Sequence, residues 1–124
     1  CQACDGLADA IEREDTAKIM SLGAGYAQAM GQFGIQSGQI DTLVLGCTHY
    51  PFAGEQLRKC VGPHVRIIDN GEPVARQTHR LLKSPSNHDT PGQCLLFTTG
   101  ERTLLQNAAQ HWLAFDGVVE SLKV

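Results

Sequence analysis

The apolar positions first fall into a helical rhythm. Ile19, Leu22, Tyr26, Met30 and Phe33 recur every three or four residues, so the segment from about Asp15 to Gly34 is expected to be an amphipathic helix, with a short helical turn over Leu7 to Arg13 ahead of it. The rhythm then changes. Thr42 to Leu45 is nearly all apolar, as in a strand buried on both faces of a parallel sheet. A helix from about Ala53 to Cys60, a strand over Val65 to Asp69 and a helix from about Glu72 to Lys83 follow, the last with Val74, Thr78, Leu81 and Leu82 on one face. The breaker cluster SPSNHDTPGQ, Ser84 to Gln93, interrupts the order. Beyond it come a strand over Cys94 to Thr99, a helix from about Glu101 to Leu113 with Leu104, Leu105, Ala108, Trp112 and Leu113 on one side, and a last strand near Val118 to Leu122. Strands alternating with helices imply an α/β fold of three layers around a mostly parallel sheet of about four strands, joined by right-handed crossovers.

Length and composition narrow the classes. A chain of 124 residues fits one domain, 1–124, and can bury a core of its own. A formal charge of -3 offers no basic footprint, so neither nucleic acid nor an anionic membrane surface is an expected partner. No apolar run reaches the roughly 20 residues that span a bilayer, and CQACDGLADA has neither a basic nor an apolar leader region, so a cytoplasmic location is expected. The 5 cysteines are an odd number, scattered along the chain, which matches reduced thiols better than a disulfide framework.

The candidate chemistry lies in DTLVLGCTHYPF, Asp41 to Phe52. In parallel α/β sheets ligands bind beyond the carboxyl ends of the strands, and this loop occupies such an end. A cysteine between a strand and a helix meets backbone N–H groups that favour the thiolate, although a buried cysteine is as often a small hydrophobe. His49, two residues from Cys47, can face the same pocket in an extended loop, and Thr48 between them offers a hydroxyl and an N–H to a carboxylate. A competing reading is a non-catalytic thiol or metal-binding module built on Cys1 and Cys4, since CxxC is half of a zinc site as well as a redox motif. Cys47 with His49 does not make a familiar second half for such a site. Cys60 and Cys94 read as structural, and His64, His79, His88 and His111 as solvated. Asp69 and Asn70 either line the same cleft or cap the next helix. No GxGxxG or GxxxxGK[ST] fingerprint suggests a nucleotide cofactor.

DTLVLGCTHYPF closely resembles the second-cysteine motif of glutamate racemases, in the aspartate/glutamate racemase superfamily. QACDGLADAIE, Gln2 to Glu12, resembles the family segment that begins near ACP and ends in an acidic residue, and VRIIDNGEPVARQTHRLL and LLFTTGE resemble later family segments in order. The resemblance covers essentially the whole chain but only the C-terminal half of a racemase. It implies two α/β domains in the complete enzyme with the active site between them, residues from about 94 to 124 packing on the absent first domain, and a first catalytic cysteine in that domain.

The same resemblance implies cofactor-independent interconversion of L- and D-glutamate for peptidoglycan synthesis, with no metal. Inverting an α-carbon needs a base on one face and an acid on the other, a task suited to two thiols. Cys47 would be one of them, His49 would assist it, Glu12 would orient His49, and Thr48 with His49 would bind the substrate. Related aspartate racemases typically carry an acid at the His49 position, so the histidine points to glutamate. This chain departs from the family pattern in placing Asp5 where proline is usual and in a longer spacing from Glu12 to Cys47. The chain alone is then expected to be inactive, and its uncovered apolar surface is expected to pair it into a homodimer.

Overall fold

The computed structural model describes residues 1–82 and 92–123. They fall into two compact units, Cys1–Gln77 and Thr78–Val124. Most of the expected breaker cluster at Ser84 to Gln93, with His88 and the expected helix end at Lys83, lies outside the described residues.

In the first unit α1, Leu7–Glu12, buries Leu7, Ala10 and Ile11. It starts from Gly6 at φ 77°, a left-handed conformation that glycine adopts without the Cβ penalty of other residues. α2, Thr16–Met30, is capped by Asp15, whose carboxylate accepts the Lys18 N–H at 2.9 Å. The helix stops at Gly31, φ 124°, rather than running to Gly34 as its periodicity suggests. Phe33 therefore leaves the helix and forms an isolated parallel bridge with Ile40. Hydrophobic spacing continued past the helix because Phe33 still packs on the core, alongside Leu43, Cys60 and Ile67 against Ala27, Val61 and Val65.

β1, Thr42–Val44, runs parallel to β2, Arg66–Ile68, with Leu43 opposite Ile67 and Val44 opposite Ile68. Between them lie a 3₁₀ turn, Tyr50–Ala53, and α3, Gly54–Val61, which ends at Gly62 with φ 100°. α2 and α3 pack so closely that a Cβ added to Gly23 would sit 3.2 Å from Leu57 Cδ2 and 3.3 Å from Cys60 Sγ. Only one face of this sheet is covered. Val44 is 66% exposed and Ile68 37%, so the expectation of burial on both faces fails for β1. α4, Gly71–Leu81, has no buried residue, and Val74, Leu81 and Leu82 stand exposed on the face read as apolar.

The second unit pairs β3, Leu96–Thr98, in parallel with β4, Val119–Ser121, and α5, Arg102–Leu113, joins them. Ala109 and Val119 are buried here, and Gln106 ties the α5–β4 connection through its amide to Gly117 O at 2.8 Å and Val119 N at 3.0 Å. The fold is α/β with parallel strands, as expected, but among the described residues the strands form two sheets of two rather than one of about four. Strand periodicity specifies which residues are extended, whereas sheet membership depends on long-range pairing that a local pattern does not encode.

Candidate active site

The loop beyond β1 is set by local bonds. Leu45 N–H reaches Ile68 O at 2.8 Å, extending the β1–β2 pairing by one residue, after which Gly46 releases the chain. Tyr50 N–H then bonds Cys47 O at 3.3 Å and Phe52 N–H bonds His49 O at 3.1 Å, winding the chain into the 3₁₀ turn that Pro51 helps to start. Cys47 consequently lies ahead of this turn, not at the first residue of α3.

His49 is turned towards α1. Its Nε2 lies 2.7 Å from Glu12 Oε1, a contact across 37 positions in sequence, and its Nδ1 lies 3.9 Å from Cys47 Sγ. A carboxylate only accepts, so Nε2 must carry the proton and Nδ1 is left as an acceptor when the ring is neutral. The Cys47 thiol can donate to Nδ1, and the Thr48 hydroxyl, with Oγ1 3.4 Å from the same nitrogen, is an alternative donor to its one lone pair. Glu12, His49 and Cys47 thus form a carboxylate–imidazole–thiol line, the arrangement that activates a thiol nucleophile or base. The line is partly open to solvent, with side-chain exposures of 36% for His49 and 43% for Glu12.

Glu12 closes α1 at a place its burial pattern dictates. Ala10 and Ile11 point into the core, leaving the next side chain at the rim, where the loop passes. The segment ahead of α1 is held by two phenols, with Tyr26 Oη–H donating to Asp5 O at 2.8 Å and Tyr50 Oη–H to Cys4 O at 3.4 Å. Tyr50 is a site residue that the motif reading passed over. Burial, reinforced by negative charge on Cys4 and Cys47, pushes its phenol up to about 12. The only local signal for it was adjacency to His49, because its contact with Cys4 spans 46 positions.

Cys47 also borders a cavity of about 530 Å³, with Cys1, Cys4, Cys47 and Tyr50 in a wall otherwise mainly apolar, including Leu57 and Val61. Burial pushes the Cys4 thiol up, although a hydrogen bond from Tyr50 works in the opposite direction. Cys60 is also pushed up by burial, beside Gly23 in the helix packing. Asp69 caps the start of α4 through Gly71 N–H at 2.9 Å. Among the described residues no three histidines, cysteines or acids converge as metal ligands, so Cys1 and Cys4 gain no third partner for a zinc site. No helix among those residues is long and apolar enough to cross a membrane.

Fold and site together define an α/β protein with a thiol–imidazole–carboxylate line at a strand end. No protein-family model matches the chain. It is similar to a glutamate racemase of Pseudomonas entomophila, 46% identical over 83 residues, which cover 65% of this chain and 29% of that protein. A glutamate racemase of Levilactobacillus brevis is 32% identical over 114 residues, 90% of this chain and 40% of the relative. Among solved structures, a glutamate racemase isoform of Bacillus anthracis superposes with a TM-score of 0.71 at 28% identity, covering 98% of this chain and 46% of that one. The chain belongs to the glutamate racemase family. It spans less than half the length of these relatives.

Proposed function

We propose that this chain supplies one of the two proton-transfer faces of a cofactor-independent glutamate racemase, with Cys47 as the group that exchanges the α-proton. The observation that carries the reading is the line from Glu12 Oε1 through His49 to Cys47 Sγ, at 2.7 Å and 3.9 Å. His49 Nδ1 takes the thiol proton, the resulting thiolate removes the α-proton of glutamate, and Glu12 opposite Nε2 offsets the charge gained by the ring. In the reverse direction the Cys47 thiol protonates the carbanion. Thr48, exposed in the loop, and His49 beside it are assigned to hold the substrate carboxylate. Neither Thr48 nor His49 lines the mainly apolar cavity that Cys47 borders, and such a wall suits an amino acid with two carboxylates poorly, which favours approach from the His49 side.

One thiol serves one face of the α-carbon, so the second acid–base group is assigned to the part of the relatives that this chain does not span. That part would also cover residues from about 94 to 124, as the family arrangement implies. Supply of D-glutamate to peptidoglycan in the cytoplasm is the corresponding biological role. The test combines the chain with the N-terminal portion of a glutamate racemase relative and follows L- to D-glutamate conversion by polarimetry. Activity is expected only from the combination and should vanish in both directions with Cys47→Ala. Robust conversion by the 124-residue chain alone would overturn the need for a second half.

A further inference from the structure

Cys4 is a nucleophile that the racemase chemistry leaves unused, yet it shares a cavity wall with Cys47. The segment carrying it lies outside helices and strands and is fixed in place from three directions: Tyr50 Oη–H donates to Cys4 O at 3.4 Å, Leu7 N–H to the same oxygen at 3.2 Å, and Tyr26 Oη–H to Asp5 O at 2.8 Å. Tyr50 also bonds back to the catalytic loop, its N–H donating to Cys47 O at 3.3 Å. One tyrosine therefore touches both cysteine residues. The charge of a Cys47 thiolate is felt at Cys4, and the charges of both are felt at the Tyr50 phenol. Cys60 does not belong to this group, since its sulfur lies in the α2–α3 packing and forms no part of the cavity wall.

We propose that Cys4 is the resolving thiol for Cys47, so that a peroxide converts the pair into an intramolecular disulfide that blocks the loop reversibly. In the first step the Cys47 thiolate attacks one oxygen of hydrogen peroxide. An S–O bond forms, the O–O bond breaks, sulfur gives up two electrons, and the departing hydroxide takes a proton to become water. The Cys4 sulfur then attacks the Cys47 sulfur, forming the S–S bond while the S–O bond breaks and a second water leaves. Two thiols and one peroxide yield one disulfide and two waters. His49 Nδ1, 3.9 Å from Cys47 Sγ, receives the proton that makes the first step possible, and in the second the departing hydroxide takes up the proton of the Cys4 thiol, which rests as a donor to Gln2 O at 3.7 Å. The disulfide removes Cys47 from His49 and leaves it unable to exchange a proton. A thiol reductant restores both groups.

That the disulfide acts as a switch rests on the reading of Cys47 as the working thiol, whereas its formation does not. The test treats the 124-residue chain with dilute hydrogen peroxide, alkylates the remaining thiols and maps the linkage by fragmentation mass spectrometry. Cys1 and Cys4 fall on one tryptic peptide, so Cys1→Ser is run beside the natural chain. The expected result is loss of two of the 5 titratable thiols in a Cys4–Cys47 link, retained in Cys1→Ser and Cys60→Ser, absent from Cys4→Ser and reversed by dithiothreitol. A Cys1–Cys4 or Cys1–Cys47 link, an intermolecular link, or accumulation of Cys47 sulfinic acid without a link would each overturn the proposal. If the link forms but Cys47→Ala leaves the recombined enzyme active, the disulfide stands and the racemase role fails. If no link forms and that variant is dead, the reverse holds.

Discussion

Replacing His49 with asparagine tests the thiol–imidazole line without requiring a complete racemase. Asparagine keeps a hydrogen-bonding side chain but loses the basic Nδ1 that stands 3.9 Å from Cys47 Sγ and the Nε2 that stands 2.7 Å from Glu12. A thiolate and an imidazolium at that separation attract by ~4 kcal/mol at an effective dielectric of 20 and by ~1 kcal/mol in bulk water. With 36% of the His49 side chain exposed, the value belongs near the lower end, at about 1–2 kcal/mol. Iodoacetamide consumption of Cys47, followed peptide by peptide near neutral pH, should therefore slow by roughly 5- to 30-fold. Glu12→Gln should slow it less, because a half-exposed ion pair contributes about 0.2–1 kcal/mol. Added salt should shrink both effects. In the recombined enzyme the same histidine change should cost ~10²- to 10⁴-fold in turnover, the range for losing an acid–base partner. Unchanged alkylation of Cys47 in His49→Asn, with the fold intact by circular dichroism, would show that the imidazole is a structural group and that the line has no chemical part.

Three further outcomes follow from the packing and the titrations. Ile19→Ala, at a side chain 1% exposed on α2, should cost about 2–5 kcal/mol in urea unfolding, and an effect below 1 kcal/mol would mean that α2 is not anchored by its buried stripe. The Tyr50 phenol is raised from 10.0 to about 12, chiefly by burial, so the folded state favours its protonated form; this contribution is fully present below pH 10 and is lost as the pH rises through about 12. Spectrophotometric titration should show a late tyrosinate step that Tyr50→Phe removes, together with part of the stability loss over that window. Val44, Val74, Leu81 and Leu82 stand exposed at 57% or more, so sedimentation should show concentration-dependent self-association, and a clean monomer at high concentration would refute it.

Much of this molecule was legible along the chain because the physics involved is local. The helix starts near Asp15 and Ala53 were read to within a residue, whereas the end of α2 at Gly31 was not, because its apolar rhythm runs on to Phe33 and Gly34. The run into GCTHYP marked a strand end, and the end of a parallel strand is where backbone geometry leaves room for a site. The family resemblance supplied Glu12; spacing alone did not, since no short-range rule joins residues 37 positions apart. Tertiary structure decided the rest. Packing of Ala10 and Ile11 into the core left Glu12 at the rim beside the loop, and that placement converts a histidine next to a cysteine into a directed acceptor with its proton on Nε2. It also brought Cys4 to the cavity wall that Cys47 and Tyr50 share. The division of the strands into two pairs, and the exposure of Val44 and Ile68, were likewise beyond the sequence, because an apolar strand is equally compatible with one covered face or two and only the elements that pack against it determine which.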